Sequence, residues 1–115
     1  MAMDLPKLRK LLALDPEDPL SRFALGRKLF ETDPTAEGLT EAAEHLHIAN
    51  TKAPEHLATY HVLGQVLMKL GRKDEARDHF QRALVIFQDL HKESPEARFK
   101  ETTEQILSNL KQLGS

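Results

Sequence analysis

The pattern Arg22-x2-Leu25-Gly26-x2-Leu29 recurs 38 residues later as Tyr60-x2-Leu63-Gly64-x2-Leu67. A second pattern, Ala42-x3-Leu46-x2-Ala49, recurs 34 residues later as Ala76-x3-Phe80-x2-Ala83. Offsets of three and four residues mark helix faces. A chain that repeats two such patterns in the same order is a row of like hairpins, and this constrains its fold more than any other feature. The two shifts differ by four, so the first copy holds four extra residues between Gly26 and Ala42. Thr32-Asp33-Pro34-Thr35 reads as a lengthened turn at that place. Pro16 and Pro54 also stand 38 apart, each shortly before the first helix of a copy.

The spacing predicts six helices, at about 4–14, 19–31, 38–52, 56–70, 74–92 and 95–113. Leu5, Leu8 and Leu12 make the first stripe; Phe99, Thr103, Ile106, Leu110 and Leu113 make the last. No segment alternates with period two, so strands are not expected. Asp18-Pro19 and Ser94-Pro95-Glu96 read as helix starts, with a capping side chain followed by proline at the first helical position. Gly71 reads as a helix stop, because glycine takes the left-handed conformation cheaply. Asp74 is placed to cap the helix that follows.

Small residues recur where two helices must cross. Helix axes approach to about 8–10 Å only if the crossing points carry small side chains. Gly64 and Ala76 let the helices of one hairpin close up, Ala83 admits the next helix, and Phe80 fills the space they leave.

Tyr60-x2-Leu63-Gly64-x2-Leu67, then Gly71, then Ala76-x3-Phe80-x2-Ala83, resembles a tetratricopeptide repeat, a helical hairpin of about 34 residues. In the first copy Arg22 and Leu46 stand where the family carries large aromatics. Leu8, Leu11 and Leu14-Asp15-Pro16 resemble the second helix of a truncated copy. The resemblance implies an all-α, right-handed superhelix of antiparallel hairpins. It would hold a capping helix in 1–18, repeats in 19–56 (with the lengthened turn) and 57–90, and a C-terminal capping helix in 94–113. Phe99, Ile106 and Leu110 would cover the open end of the stack, with Lys100, Glu104, Lys111 and Gln112 facing water.

The chain has 115 residues, the size of one domain. Its net charge of −2 offers no broad basic field for nucleic acid. Arg72, Lys73, Arg77 and Arg82 cluster, but Asp74, Glu75 and Asp78 are interleaved with them. No run nears the ~18 apolar residues that span a bilayer. The N-terminus does not read as a secretory signal, since Lys7, Arg9 and Lys10 interrupt it, so a cytoplasmic protein is expected. Without cysteine there is no thiolate chemistry. Six histidines raise a metal hypothesis, but no HExxH is present, and His45 and His79 fall on separate helices of the stack. No phosphate-binding glycine loop or nucleophile elbow occurs, so neither catalysis nor a cofactor is expected.

In this family the first helices of successive units line a concave groove. Carried over by position, Phe23, Arg27 and Phe30 line it in the first unit, flanked by Leu20 and Glu31. Ala58, His61, Gln65, Met68 and Lys69 line it in the second. Apolar groups mixed with donors suit an amphipathic helix or an extended segment with an acidic group. The family's clamp for a C-terminal carboxylate uses a lysine and asparagines, and those places here carry Phe23, Arg27 and Val62, so that clamp is not expected. The resulting expectation is a non-catalytic adaptor that binds another protein. The alternative is a homodimer through the C-terminal helix, with Phe99, Ile106, Leu110 and Leu113 as its seam.

Overall fold

A computed structural model describes residues 4–93 and 97–114. Its helices are α1 (Leu5–Leu14), α2 (Pro19–Thr32), α3 (Ala36–Lys52), α4 (Leu57–Lys69), α5 (Lys73–Glu93) and α6 (Ala97–Gln112). Asp4 caps α1 by accepting from the Lys7 amide at 3.1 Å. Asp18 caps α2, accepting from the Leu20 amide at 3.2 Å and the Ser21 hydroxyl at 2.7 Å. Gly71 ends α4 with φ of 78°, and the Arg72 amide folds back onto the Leu67 carbonyl at 2.9 Å. Asp74 does not cap α5: the helix starts one residue earlier, and Asp74 lies in its first turn, where a carboxylate favours the helix dipole. The Ser94-Pro95-Glu96 start lies outside the described residues.

Each helix packs on its neighbour in sequence, with α2 on α3 and α4 on α5 as hairpins, and α2 also meets α4. Short turns between such helices make each pair antiparallel. The small residues are inside: Ala42, Ala76 and Ala83 have no exposed surface, and Ala49 is at 1%. A Cβ built on Gly64 would lie 2.7 Å from Phe80 Cε1, and one built on Gly26 would lie 2.7 Å from Leu46 Cγ. Both contacts are far closer than carbon atoms approach. The two copies therefore share one lock, in which a glycine on the first helix receives the large side chain of the second. Substituting Ala83→Leu overfills a site with no free surface. The expected cost is about 1–3 kcal/mol, read as a fall in the thermal midpoint. An unchanged midpoint would argue against this packing.

The extra residues of the first copy do not lengthen its turn. Residues 33–35 separate α2 from α3, and residues 70–72 separate α4 from α5. The insertion is absorbed by helix, mostly as added residues at the start of α3. Thr35 makes this favourable by capping α3 at the Gly38 amide, at 3.1 Å, while its hydroxyl donates to Asp33 at 2.6 Å. Gly38 is required there, because a Cβ would lie 2.4 Å from the Asp33 carbonyl oxygen.

Helix α5 runs long for an equally local reason. Pro16 follows the end of α1 and Pro54 follows the end of α3, each two residues after the last helical position. The matching place in the second copy is Gln88, which has an amide to donate, so the helix continues to Glu93. Helix α6 then packs on α5. Its Ile106 is fully buried and Leu113 nearly so, while Glu104, Lys111 and Gln112 face solvent. The side chains of Phe99 and Lys100 lie outside the described set.

Candidate partner-binding groove

The face proposed for binding is what remains of α2 and α4 once their core sides are used. Leu25, Gly26 and Leu29 point inward on α2; Thr59, Tyr60, Leu63, Gly64, Val66 and Leu67 point inward on α4. Phe23, Phe30, His61, Gln65 and Met68 are left half-buried, and Arg27, Ala58 and Lys69 are exposed. None of the eight is fully buried, so all retain surface that a partner can touch.

Several of these residues already have neighbours. The Phe23 ring stands edge-on to His56 at the start of α4, with ring centroids 4.8 Å apart, and so joins the two units. His61 occupies the matching place one unit on. It lies 6.0 Å from the Phe80 ring, and its Nε2 accepts from the Asn109 amide on α6 at 3.5 Å. Burial holds the His61 imidazole below its ordinary pKa, so it presents a neutral ring rather than a cation. Arg27 donates to Glu31 at 3.0 Å along the same helix. Both partners are well exposed, so the pair contributes little to stability and yields readily to a competing carboxylate.

Sequence reasoning missed a second feature, on another side of α2. Arg9 makes two hydrogen bonds to Glu41, at 2.6 and 3.1 Å. Glu41 Oε2 lies 3.2 Å from His45 Nε2, and Arg22 Nη1 lies 3.2 Å from His45 Nδ1. Arg22 also donates to the Pro16 carbonyl at 3.3 Å. For His45 to accept from Arg22, its Nε2 must carry the proton and donate it to Glu41. The Arg9 hydrogen bond, more than His45, holds the Glu41 carboxyl below the usual carboxylate range. This chain of charges borders an open cavity of about 380 Å³ that also touches Leu12, Ala13 and Leu25. In the second unit Tyr60 and His79 occupy the places of Arg22 and His45, with rings 6.3 Å apart. The register of the two copies could have revealed the pairing, since 22 maps to 60 and 45 maps to 79.

Histidines meet at the joint between units. His47 of α3 and His79 of α5 stand edge to face at 5.5 Å. His79 is 7% exposed, and its Nδ1 has no partner among the described residues. Burial pushes both imidazoles below their ordinary value of 6.5, and the repulsion from His47 adds to the effect at His79. Below pH 6.5 the unfolded chain therefore binds more protons than the folded one. Stability is complete above that value and falls as pH is lowered through the window beneath it. Thermal midpoints should drop between about pH 7.5 and 5.5, and drop less in His79→Gln. Equal slopes in the two proteins would show that this joint does not carry the effect. Among the described residues no group of three or more His, Cys, Asp or Glu is arranged to hold a metal ion.

The basic cluster at the start of α5 is internally paired, with Arg72 on Glu75, Arg77 on Asp74 and Arg82 on Asp78. Among the described residues no helix is long and apolar enough to cross a membrane.

These contacts define a hairpin with a glycine lock, a left-handed glycine at its turn and small residues at each crossing. Residues 58–90 match the family model of the tetratricopeptide repeat. The chain carries a tetratricopeptide repeat. The match covers α4 and most of α5, the copy with Tyr60, Phe80 and the regular turn. The first hairpin has the same glycine lock around Leu46 but carries Arg22 and the four-residue insertion. A search of curated proteins found no match for the chain. Tetratricopeptide repeats are in general protein-interaction modules, and the all-helical packing seen here is consistent with that fold.

Proposed function

We propose that this protein is a non-catalytic adaptor that binds a helical or extended segment of another protein along the face of α2 and α4. The tetratricopeptide repeat at 58–90 carries this reading. The half-buried Phe23, Phe30 and Met68 support it, since they offer apolar contact beside the exposed cations Arg27 and Lys69. An amphipathic segment with an acidic group fits such a face: its apolar side meets the rings and its carboxylate draws Arg27 from Glu31. Two hairpins give a short groove, so the buried area stays below about 1,200 Å² and binding belongs to the transient class.

Affinity capture from native lysate, followed by direct binding to the captured partner, tests the reading. Arg27→Glu with Lys69→Glu should abolish capture while leaving helicity intact. The first change places Glu beside Glu31, a like-charge pair that costs only a few tenths of a kcal/mol. Undiminished capture by the double variant would remove this face from consideration.

The C-terminal dimer seam has less support. Ile106 and Leu113 are buried within their own chain, so they are not available to a second copy. Phe99 lies outside the described side chains.

A further inference from the structure

Two joints of the helix stack carry different chemistry at the same places. Arg9 and Arg22 precede His47 and Tyr60 by 38 residues, and Glu41 and His45 precede Glu75 and His79 by 34. In the second joint three rings stand together: His47 lies 5.5 Å from His79, and His79 lies 6.3 Å from Tyr60. Tyr60 and His79 are both buried there. In the first joint, where α1, α2 and α3 meet, guanidiniums take the places of His47 and Tyr60. An open cavity of about 380 Å³ lies among them, and Leu12, Ala13, Pro16 and Leu25 give it an apolar lining. Sites for small molecules begin at about 300 Å³.

The charges around this cavity are unevenly matched. Glu41 takes two hydrogen bonds from Arg9, at 2.6 and 3.1 Å, so its carboxylate is neutralised within the cluster. Arg22 meets only neutral acceptors among the described residues, His45 Nδ1 at 3.2 Å and the Pro16 carbonyl at 3.3 Å. The carboxylates just before it in the chain are engaged elsewhere. Asp15 accepts from the Glu17 amide at 3.3 Å, Glu17 pairs with Lys52, and Asp18 caps α2. Two guanidiniums and one carboxylate leave the cavity with an excess of positive charge.

A half-buried cation without a counter-charge favours an anion beside it. The planar fork of arginine suits a carboxylate, which it can hold by two parallel hydrogen bonds. Its flat face also stacks on aromatic rings. A ring brought in with that carboxylate would meet the apolar lining, and would restore to this joint the aromatic surface that the second joint has built in. We propose that the cavity between α1, α2 and α3 binds a small aromatic carboxylic acid, with its carboxylate on Arg22 and its ring against Leu12, Ala13, Pro16 and Leu25. Arg9 serves the site indirectly, by cancelling the charge of Glu41 that would repel the ligand.

Titration of the full chain with sodium benzoate, followed by nuclear magnetic resonance of the backbone amides, tests the proposal. Shifts should centre on Ala13, Leu25 and His45 and should saturate, with half-saturation at about 1 mM for so small a ligand. Benzamide has the ring without the charge, and acetate has the charge without the ring. N-acetylglutamate N-methylamide carries the carboxylate on a peptide unit instead of a free acid. Each should bind at least about tenfold more weakly than benzoate. Arg22→Tyr installs the residue of the second joint, so it should keep its helicity and lose the benzoate shifts. Arg22→Gln should lose them as well, with the cavity left open. Circular dichroism confirms that each variant is folded. Three results would overturn the proposal: no saturable shift at these residues, a control compound that binds as well as benzoate, or undiminished benzoate binding by a folded Arg22 variant.

Discussion

Phe80→Ala is expected to lower the unfolding free energy by about 3–5 kcal/mol, from a total of about 5–15 for a domain of this kind. Phe80 is the largest fully buried side chain described, and its ring lies over Gly64 with no Cβ between them. Closing the space left by the ring would require α4 and α5 to move, and they already pack closely through Gly64 and the fully buried Ala76. The loss therefore includes a cavity as well as the transfer of the ring to water. Urea denaturation followed by circular dichroism measures it, with the midpoint moving and the slope held. Leu46→Ala, the same position in the first hairpin, should cost about 2–5 kcal/mol by the same route. A loss under about 1 kcal/mol at Phe80 would mean that the ring is not packed where the structure puts it.

Gly64→Leu attacks the same lock from the other helix, and its sign is not obvious. Leucine is the better helix former by nearly 1 kcal/mol. Against this, even its first carbon would lie 2.7 to 2.9 Å from three atoms of the Phe80 ring. The ring is wholly buried, so it yields only if its surroundings move, and the hairpin must splay. Overpacking outweighs propensity, and the expected net loss is about 2 kcal/mol. Gly71→Ala is the control. Nothing lies within 4 Å of a Cβ there, and its only penalty is the positive φ, about 1 kcal/mol. If the two substitutions cost the same, close approach is not what Gly64 provides.

Much of this arrangement could be read from residue spacing. Gly26, Gly64, Ala76 and Ala83 are small, recur in register and sit on helix faces, and each is buried where two helices meet. Features that depend on which neighbour a residue selects were harder to read. Thr32-Asp33-Pro34-Thr35 has the composition of a turn, but Thr35 can begin a helix as readily as it can extend a loop, and it begins α3. Arg22 looked like the loss of an aromatic; its partner His45 lies 23 residues away, and only the fold brings them together. The stripe on α6 showed that one face is apolar, but not whether that face turns toward α5 or toward another molecule. The same periodicity leaves Phe23, Phe30, His61, Gln65 and Met68 half-buried on α2 and α4, with Arg27, Ala58 and Lys69 exposed beside them.

The shared register of α1, α3 and α5 has a consequence for how such a molecule can change in size. Leu8, Leu46 and Phe80 are buried at matching places on the three helices, although the first hairpin carries four more residues than the second. Another hairpin could be spliced in after Pro54 without altering either terminus. It would need only the glycine, the alanines and the bulky plug that its neighbours already carry. A hairpin inserted there would part the joint at which His47 meets His79, and would have to rebuild that joint on both of its own faces.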